Sequence, residues 1–163
     1  MARTIIAPDL DNSRHTALFL AGSINNGASQ DWQAQVVEGL KDLPDLVIYN
    51  PRRPNWNPNL AEEDEMGLRR QIRWELEHLR EADLVFFYFD EAGFSPVSML
   101  ELGFCLPVFC PYVKRGNLIV TAHPQAPRRT NLEITLWDFG FPFLSYDAGL
   151  NELWKKLKGY PRT

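Results

Sequence analysis

The chain contains few of the residues that bind metal ions or form disulfides. Its 163 residues include two cysteines and three histidines. Cys105 and Cys110 lie in one apolar stretch, which is typical of reduced thiols in the core of a cytosolic protein. The histidines share no ligand spacing with each other or with the cysteines. We therefore expect no metal site, and nothing else in the sequence implies a cofactor.

Long hydrophobic runs are also absent. The longest, such as Leu84–Phe89, are far shorter than the roughly 18 residues that cross a bilayer. Residues 1–9 contain no apolar stretch of about 7–15 residues, the length expected of a signal peptide. We therefore expect no membrane partner and a cytoplasmic location.

Basic residues are not in excess. The 17 lysines and arginines stand against 21 acidic residues, and the net charge is -4. A mildly acidic chain is a poor candidate for binding a nucleic-acid polymer, which requires a basic patch. Arginines occur as adjacent pairs at 52–53, 69–70 and 128–129. We interpret these pairs as solvated surface, with a small-anion site as the alternative.

Two common enzyme motifs are missing. The sequence has no Gly-x-Ser-x-Gly, which argues against a serine hydrolase. Residues 22–27 have the glycine spacing of a phosphate-binding P-loop. No Lys-Ser or Lys-Thr follows them, which disfavours an NTPase.

Strand-like and helix-like patterns alternate along the chain. With no internal repeat, low-complexity tract or composition shift, we predict one domain over residues 1–163. Short apolar runs predict strands at 17–21, 45–49, 84–90, 117–121 and 142–146. Such alternation is typical of a parallel sheet covered by helices on both faces. We predict an α/β fold with a single doubly wound, mostly parallel five-stranded sheet of flavodoxin-like (Rossmann-like) order, 2-1-3-4-5.

The helices are predicted from caps and apolar spacing. Ser29 is the predicted N-cap of the first helix, and Asn59 with Glu62 has the spacing of a capping box for the second. The third begins with Ser95 as N-cap and Pro96 at its first position. The second helix is predicted to end near Ala82 and to bury a stripe of Leu68, Ile72, Leu76 and Leu79. A C-terminal helix is predicted to bury a stripe of Leu150, Leu153, Trp154 and Leu157.

Ligands of such sheets bind beyond the carboxyl ends of the strands, where the strand order reverses. Here that edge collects the loops 22–27 and 50–59, Asp90 and the helix bearing Glu101. Asp90 ends the central strand, and its alternative role is to begin a turn. Glu75 lies at the edge of an apolar stripe, where it either reaches the surface and pairs with His78 or points into a pocket.

Glu101 is the acid with the most apolar surroundings. The ten residues around it are almost all apolar, and an ionised Glu there is costly unless it is hydrogen-bonded or functional. Gly103 would let a backbone or a ligand approach closely. Three acids at one pocket without metal ligands suggest chemistry on a glycosidic bond, with one carboxylate as nucleophile and another group protonating the leaving base.

Three segments resemble the nucleoside 2-deoxyribosyltransferase family, in particular its nucleoside 2-deoxyribosyltransferase-like branch. They are residues 19–24, residues 71–75 with the helix leading to Asp83, and residues 95–103. Their order and spacing carry the resemblance, which extends from about Ala17 to Trp137. The family has a doubly wound sheet of the kind predicted above.

The resemblance implies catalytic roles for the three acids. The family nucleophile, in its Glu-Leu-Gly motif, falls on Glu101. The acid on the helix before the central strand falls on Glu75, where many relatives have the shorter Asp. The acid after the central strand falls on Asp90. Whether Asp90 or Glu75 assists the leaving base stays open.

The resemblance also implies a substrate-binding set: Phe19, Gly22, Ser23, Ile24, Ser98 and Asn131. Phe19 stands where many relatives have a Tyr near the nucleophile, so that hydroxyl is absent. Asn131 corresponds to an Asn that a neighbouring subunit contributes, which implies a homo-oligomer. From side-chain type alone, Trp56 could stack on a nucleobase and Asn57 could hydrogen-bond it, or both belong to a surface loop.

The function that follows is transfer of 2-deoxyribose between nucleobases through a covalent glutamyl intermediate, with deoxynucleosides and free bases as partners. One alternative is a hydrolase of deoxynucleosides or of their 5′-monophosphates. Another is a nucleotide-binding module without turnover.

Overall fold

A parallel six-stranded sheet forms the centre of the molecule. The computed structural model describes residues 1–9, 15–24, 29–54, 64–106 and 117–159. The strands are β1 Arg3–Ile6, β2 Thr16–Gly22, β3 Leu46–Asn50, β4 Leu84–Phe89, β5 Leu118–Ala122 and β6 Phe143–Leu144. The helices are α1 Trp32–Leu40, α2 Glu65–Glu81, α3 Pro96–Cys105, α4 Arg129–Asp138 and α5 Tyr146–Gly159.

The strand order is β1-β3-β2-β4-β5-β6, and every neighbouring pair is parallel. The predicted order 2-1-3-4-5 is confirmed in the last five of these strands. The predicted number of strands was wrong, because β1 adds an edge strand beside β3. The segment Arg3–Ile6 is short and only partly buried, so its apolar signal is weak without its partner.

The helices form two layers on opposite faces of the sheet. Alternate side chains of each strand point to opposite faces, as the pleat requires. On β4, for example, Phe87 packs with α2, α3 and α4, whereas Phe86 packs with α1 and α5. We call α2, α3 and α4 the three-helix layer, and α1 and α5 the two-helix layer. The strand order reverses between β2 and β4, which is the predicted ligand edge.

One helix start corrects the sequence prediction. Helix α1 begins at Trp32, and its N-cap is Asp31, which accepts a hydrogen bond from the Ala34 amide at 3.0 Å, whereas Ser29 is buried outside the helix. Helix α2 is capped by Asp64 in the described residues, and the predicted box at 59–62 lies outside them. The prediction of Ser95 as N-cap and Pro96 as the first residue of α3 is confirmed.

The buried face of α2 differs from the predicted stripe. Leu79 is buried as predicted, but Ile72 is 44% exposed. The core positions are taken by Gln71, Trp74 and His78 instead. His78 stacks on Trp74 with ring centroids 4.3 Å apart, and its Nδ1 donates to the Trp74 carbonyl oxygen at 2.7 Å. Polar groups that satisfy one another can therefore displace apolar residues from the core side.

Helix α4 was not predicted. Its buried residues are Leu132 and Leu136, while Ile134 and Trp137 are exposed. Apolar side chains on both sides of a helix leave no clear stripe to find. None of the helices seen in the described ranges has the length and apolar character that a membrane span needs.

Candidate active site

The floor of the candidate site is the place where β2 ends beside β4. Gly22 has a φ of 139°, and a Cβ on it would overlap the carbonyl oxygen of Tyr88. Only glycine fits both conditions. The next residue continues the close approach, because the Ser23 amide donates to the Tyr88 carbonyl oxygen at 2.9 Å. The end of β2 is therefore held directly against β4.

Serine hydroxyls join this floor to the beginning of α3. Ser23 Oγ accepts the Asp90 amide at 3.0 Å and lies 2.7 Å from Ser95 Oγ, with which it shares a hydrogen bond. Ser98 Oγ donates to the Gly22 carbonyl oxygen at 2.9 Å. Ser23 and Ser98 are buried and use their hydroxyls inside the protein. These contacts fix the helix that bears Glu101 relative to the sheet edge.

Glu101 lies on the inner side of α3 and is 9% exposed. Within the part of the chain that the structure describes, its carboxyl group makes no hydrogen bond. Burial raises the pKa of Glu101 to about 8, and repulsion from the nearby Glu75 carboxylate adds to this effect. Near neutral pH, Glu101 therefore holds a proton in the substrate-free protein.

Glu75 faces Glu101 from α2 in a different environment. Its Oε1 accepts a hydrogen bond from Gln71 Nε2 at 2.6 Å. Burial raises the pKa of Glu75, while the Gln71 hydrogen bond and the positive charge of Arg53 oppose the rise. The suggested pairing with His78 is not formed, since that ring stacks on Trp74. The two carboxyl groups thus share a site but differ in what supports their charge, which suits acid–base or nucleophilic chemistry.

Asp90 follows β4 and is 6% exposed. Its Oδ1 accepts the Ala92 amide at 3.1 Å, so it does begin the turn that the alternative interpretation described. Its own amide is bound by Ser23, which places the residue at the same edge as the serine floor. Asp90 therefore begins the turn and also lies at the edge of the site.

The remaining predicted residues occupy varied places. Phe19 has no exposed surface and lies beneath the site, 6.1 Å from Trp74 between ring centroids. Ile24 is partly exposed just after the floor. Asn131 is exposed on α4. Trp56 and Asn57 lie outside the described residues.

The Arg52–Arg53 pair was misinterpreted as solvated surface. Both residues are partly buried. Arg52 donates to the Ser29 carbonyl oxygen at 2.9 Å and to that of Gln30 at 3.1 Å. Arg53 Nε donates to Gln71 Oε1 at 2.6 Å. The only sequence signal for this contact was the presence of Gln71 in the family-like segment 71–75.

No cluster of three or more histidine, cysteine, aspartate or glutamate side chains suited to a metal ion is found in the described ranges. The three acids also come from separate elements: Glu75 from α2, Asp90 from the end of β4 and Glu101 from α3. Glu75 and Glu101 are close enough for the charge of Glu75 to raise the pKa of Glu101.

Comparisons with known proteins agree with this fold. A model of the family described as nucleoside 2-deoxyribosyltransferase like matches residues 15–113. A solved 2-deoxyribosyltransferase from the psychrotolerant bacterium Bacillus psychrosaccharolyticus is similar in fold, with a TM-score of 0.53 and 18% sequence identity. The match covers 89% of this chain and 92% of that one. A search of curated proteins finds no match.

Proposed function

Since this chain belongs to the nucleoside 2-deoxyribosyltransferase-like family, we propose that it transfers 2-deoxyribose between nucleobases. The observation that carries the proposal is Glu101, a buried carboxyl group with no hydrogen bond in the described residues, set beside Glu75 at the ligand edge of the sheet. A bare carboxyl group is costly to bury unless it reacts with or binds something there.

The first step forms a covalent ester. The Glu101 carboxylate attacks C1′ of a 2′-deoxynucleoside on the face opposite the base. The C1′–N bond breaks, and its electron pair leaves with the base, which Glu75 or Asp90 protonates or hydrogen-bonds. Without a 2′-hydroxyl group, positive charge at C1′ is less destabilised. A second base then attacks C1′ from the vacated side and releases the carboxylate, so the configuration at C1′ is retained overall.

The carboxyl pair of Glu75 and Glu101 also supplies the proton that the departing base receives. Because the pKa of Glu101 is raised to about 8, Glu101 is protonated near neutral pH and must lose its proton before it attacks. Glu75 lies beside it, and Asp90 is at the same edge. The proton that leaves Glu101 can therefore be passed to the departing base, so that the pair acts with one proton shared between two groups.

A base-exchange assay tests the activity. Thymidine or deoxyinosine is incubated with excess adenine, and deoxyadenosine is followed by chromatography. We expect exchange by the native protein and a loss of at least about 10³-fold in Glu101→Gln. The matched control is Glu77→Gln, an exposed glutamate of the same helix as Glu75, which should retain full activity. Intact-protein mass spectrometry without acceptor base should show one added deoxyribosyl group on the native protein only.

The other outcomes separate the alternatives. Free base and deoxyribose without exchange would identify a hydrolase, and turnover of 5′-monophosphates alone would identify the nucleotide version. Tight binding without any turnover would leave a binding module. Full activity in Glu101→Gln would remove Glu101 from the role of nucleophile.

We also propose that the protein is a homo-oligomer in which Asn131 completes the site of a neighbouring subunit. Asn131 is exposed on α4, and the same helix exposes 58% of Ile134 and 82% of Trp137. Exposed apolar groups of this size are typical of an interaction surface.

Co-expression of Glu101→Gln and Asn131→Ala chains tests the shared site. In a dimer, random mixing gives hybrid molecules with one intact site each, so about a quarter of native activity should return. No recovery above the two single variants would show that each chain forms its site alone.

A further inference from the structure

Gln71 is a buried polar residue in the middle of α2, and its side-chain amide is fully engaged. It is 2% exposed. Its Nε2 donates to Glu75 Oε1 at 2.6 Å and to the Pro51 carbonyl oxygen at 3.1 Å, while its Oε1 accepts from Arg53 Nε at 2.6 Å. Both donor hydrogens and the carbonyl oxygen therefore have partners.

Only one orientation of this amide satisfies its neighbours. If the amide were reversed, its oxygen would face two other acceptors, the Glu75 carboxylate and the Pro51 carbonyl. Its NH2 group would then face the Arg53 guanidinium, which can only donate. Arg53 therefore determines that a donor is presented to Glu75.

A donor at that position favours the ionised form of Glu75, because a hydrogen bond to a carboxylate is stronger than one to a neutral acid. In the described residues, the charged groups that face Glu75 are Arg53, from the segment after β3, and Glu101, from α3. His78, one helical turn away on α2, is directed to Trp74 and Tyr49 instead. Gln71 and Arg53 thus stabilise the Glu75 carboxylate, and the charge of that carboxylate raises the pKa of Glu101.

We propose that Gln71 is a positioning residue that, held by Arg53, sets the order in which the carboxyl pair ionises: Glu75 first and Glu101 last. The reaction's proton consequently rests on Glu101 until substrate arrives. This inference rests on the proposed function for its catalytic consequence, but the order of ionisation is a property of the substrate-free protein.

The first test therefore uses no substrate. Glutamate labelled with ¹³C at Cδ is incorporated, and the carboxyl signals of Glu75 and Glu101 are titrated by NMR and assigned with Glu75→Gln and Glu101→Gln. We expect Glu75 to titrate below Glu101 in the native protein. Gln71→Met, which is close to isosteric but has no amide, should raise the pKa of Glu75 and bring the two titrations together or reverse them. Gln35→Met, an exposed glutamine on α1, should change neither.

The second test measures the reaction. Gln71→Met should lower kcat about 10- to 100-fold with little change in KM, and should move the acid limb of the kcat/KM profile to higher pH. Arg53→Met should act in the same direction. In a Glu75→Gln background, Gln71→Met should have no further effect on that limb, because its target is gone.

The two proposals can fail separately. Unchanged carboxyl titrations in Gln71→Met would overturn the positioning role, even if the enzyme transfers deoxyribose. Shifted titrations in a protein without any turnover would support the ionisation order and overturn the proposed function. A merely structural Gln71 would lower the melting temperature and leave both the titrations and the acid limb in place.

Discussion

The two-helix layer and the three-helix layer cover opposite faces of the same sheet, yet they differ in what they expose and bury. Among the described residues, seven exposed large hydrophobic side chains belong to the three-helix layer or to the turn that enters it: Met66, Ile72, Phe94, Val97, Leu100, Ile134 and Trp137. The described parts of α1 and α5 expose none. The carboxyl pair Glu75 and Glu101 also lies in the three-helix layer.

The difference separates stability from chemistry. The two-helix layer packs apolar side chains such as Trp32, Leu40 and Leu153 against the sheet. The three-helix layer also has a continuous apolar core. Beside that core it buries the carboxyl groups of Glu75 and Glu101 and the amide of Gln71, which need charge or hydrogen-bond partners rather than apolar contacts. Substitutions in the two-helix layer should therefore change the free energy of unfolding and leave activity unchanged. Substitutions at the carboxyl pair should change activity and stability in opposite directions.

Glu101→Gln gives the largest expected effect, because it should abolish transfer and stabilise the fold. The folded-state pKa of Glu101 is about 8, above its ordinary value of 4.5. As pH rises between these values, the unfolded chain loses the proton while the folded protein keeps it, so the free energy of unfolding falls. The native protein should therefore lose on the order of 3 kcal/mol between pH 4.5 and 7 through this group.

Urea denaturation at pH 5 and pH 8 measures this effect. The Gln side chain does not titrate, so Glu101→Gln should exceed the native protein in stability at pH 8 and approach it at pH 5. Equal pH dependence in both proteins would contradict the raised pKa, whatever the activity.

Leu153→Ala is the counterpart in the two-helix layer. Leu153 has no exposed surface, and its truncation should cost about 3 kcal/mol through lost burial and a cavity. Because it lies on the face away from Glu75 and Glu101, kcat/KM per folded molecule should stay at the native value. A fall in kcat/KM comparable with that of Gln71→Met would show that the two layers are not independent.

The sequence predicts the sheet that both layers share better than it predicts the difference between the layers. Strands β2 and β4 are almost entirely apolar runs, so they were found, and the apolar surroundings of Glu101 indicated its burial. The core side of α2 was missed, because periodicity counts apolar residues and cannot see that Gln71 and His78 find partners in Arg53 and Trp74. The Trp74–His78 contact lies within the helix, whereas Arg53 comes from a separate segment that only the tertiary structure brings to Gln71.

Ser23→Ala tests the floor that joins the layers at the ligand edge. The Ser23 hydroxyl is buried, accepts the Asp90 amide and pairs with Ser95. Its removal leaves an amide without a partner and should cost about 2 kcal/mol. Transfer should also fall, because α3 loses one of its attachments to β2. Native stability by urea denaturation would show that the hydroxyl network contributes nothing.

Tyr146→Phe removes a buried hydroxyl of the two-helix layer, as the counterpart of Ser23→Ala, and has the smallest expected effect. The Tyr146 hydroxyl is buried and makes no hydrogen bond with the described residues. Burial raises the pKa of Tyr146 to about 12, so the group is neutral at working pH, and its removal breaks no hydrogen bond to the residues that the structure describes. The variant should be as stable as the native protein or more stable by up to about 1 kcal/mol, with unchanged kcat/KM. A loss as large as that of Ser23→Ala would mean that this hydroxyl has a partner, and that both layers rely on buried polar contacts.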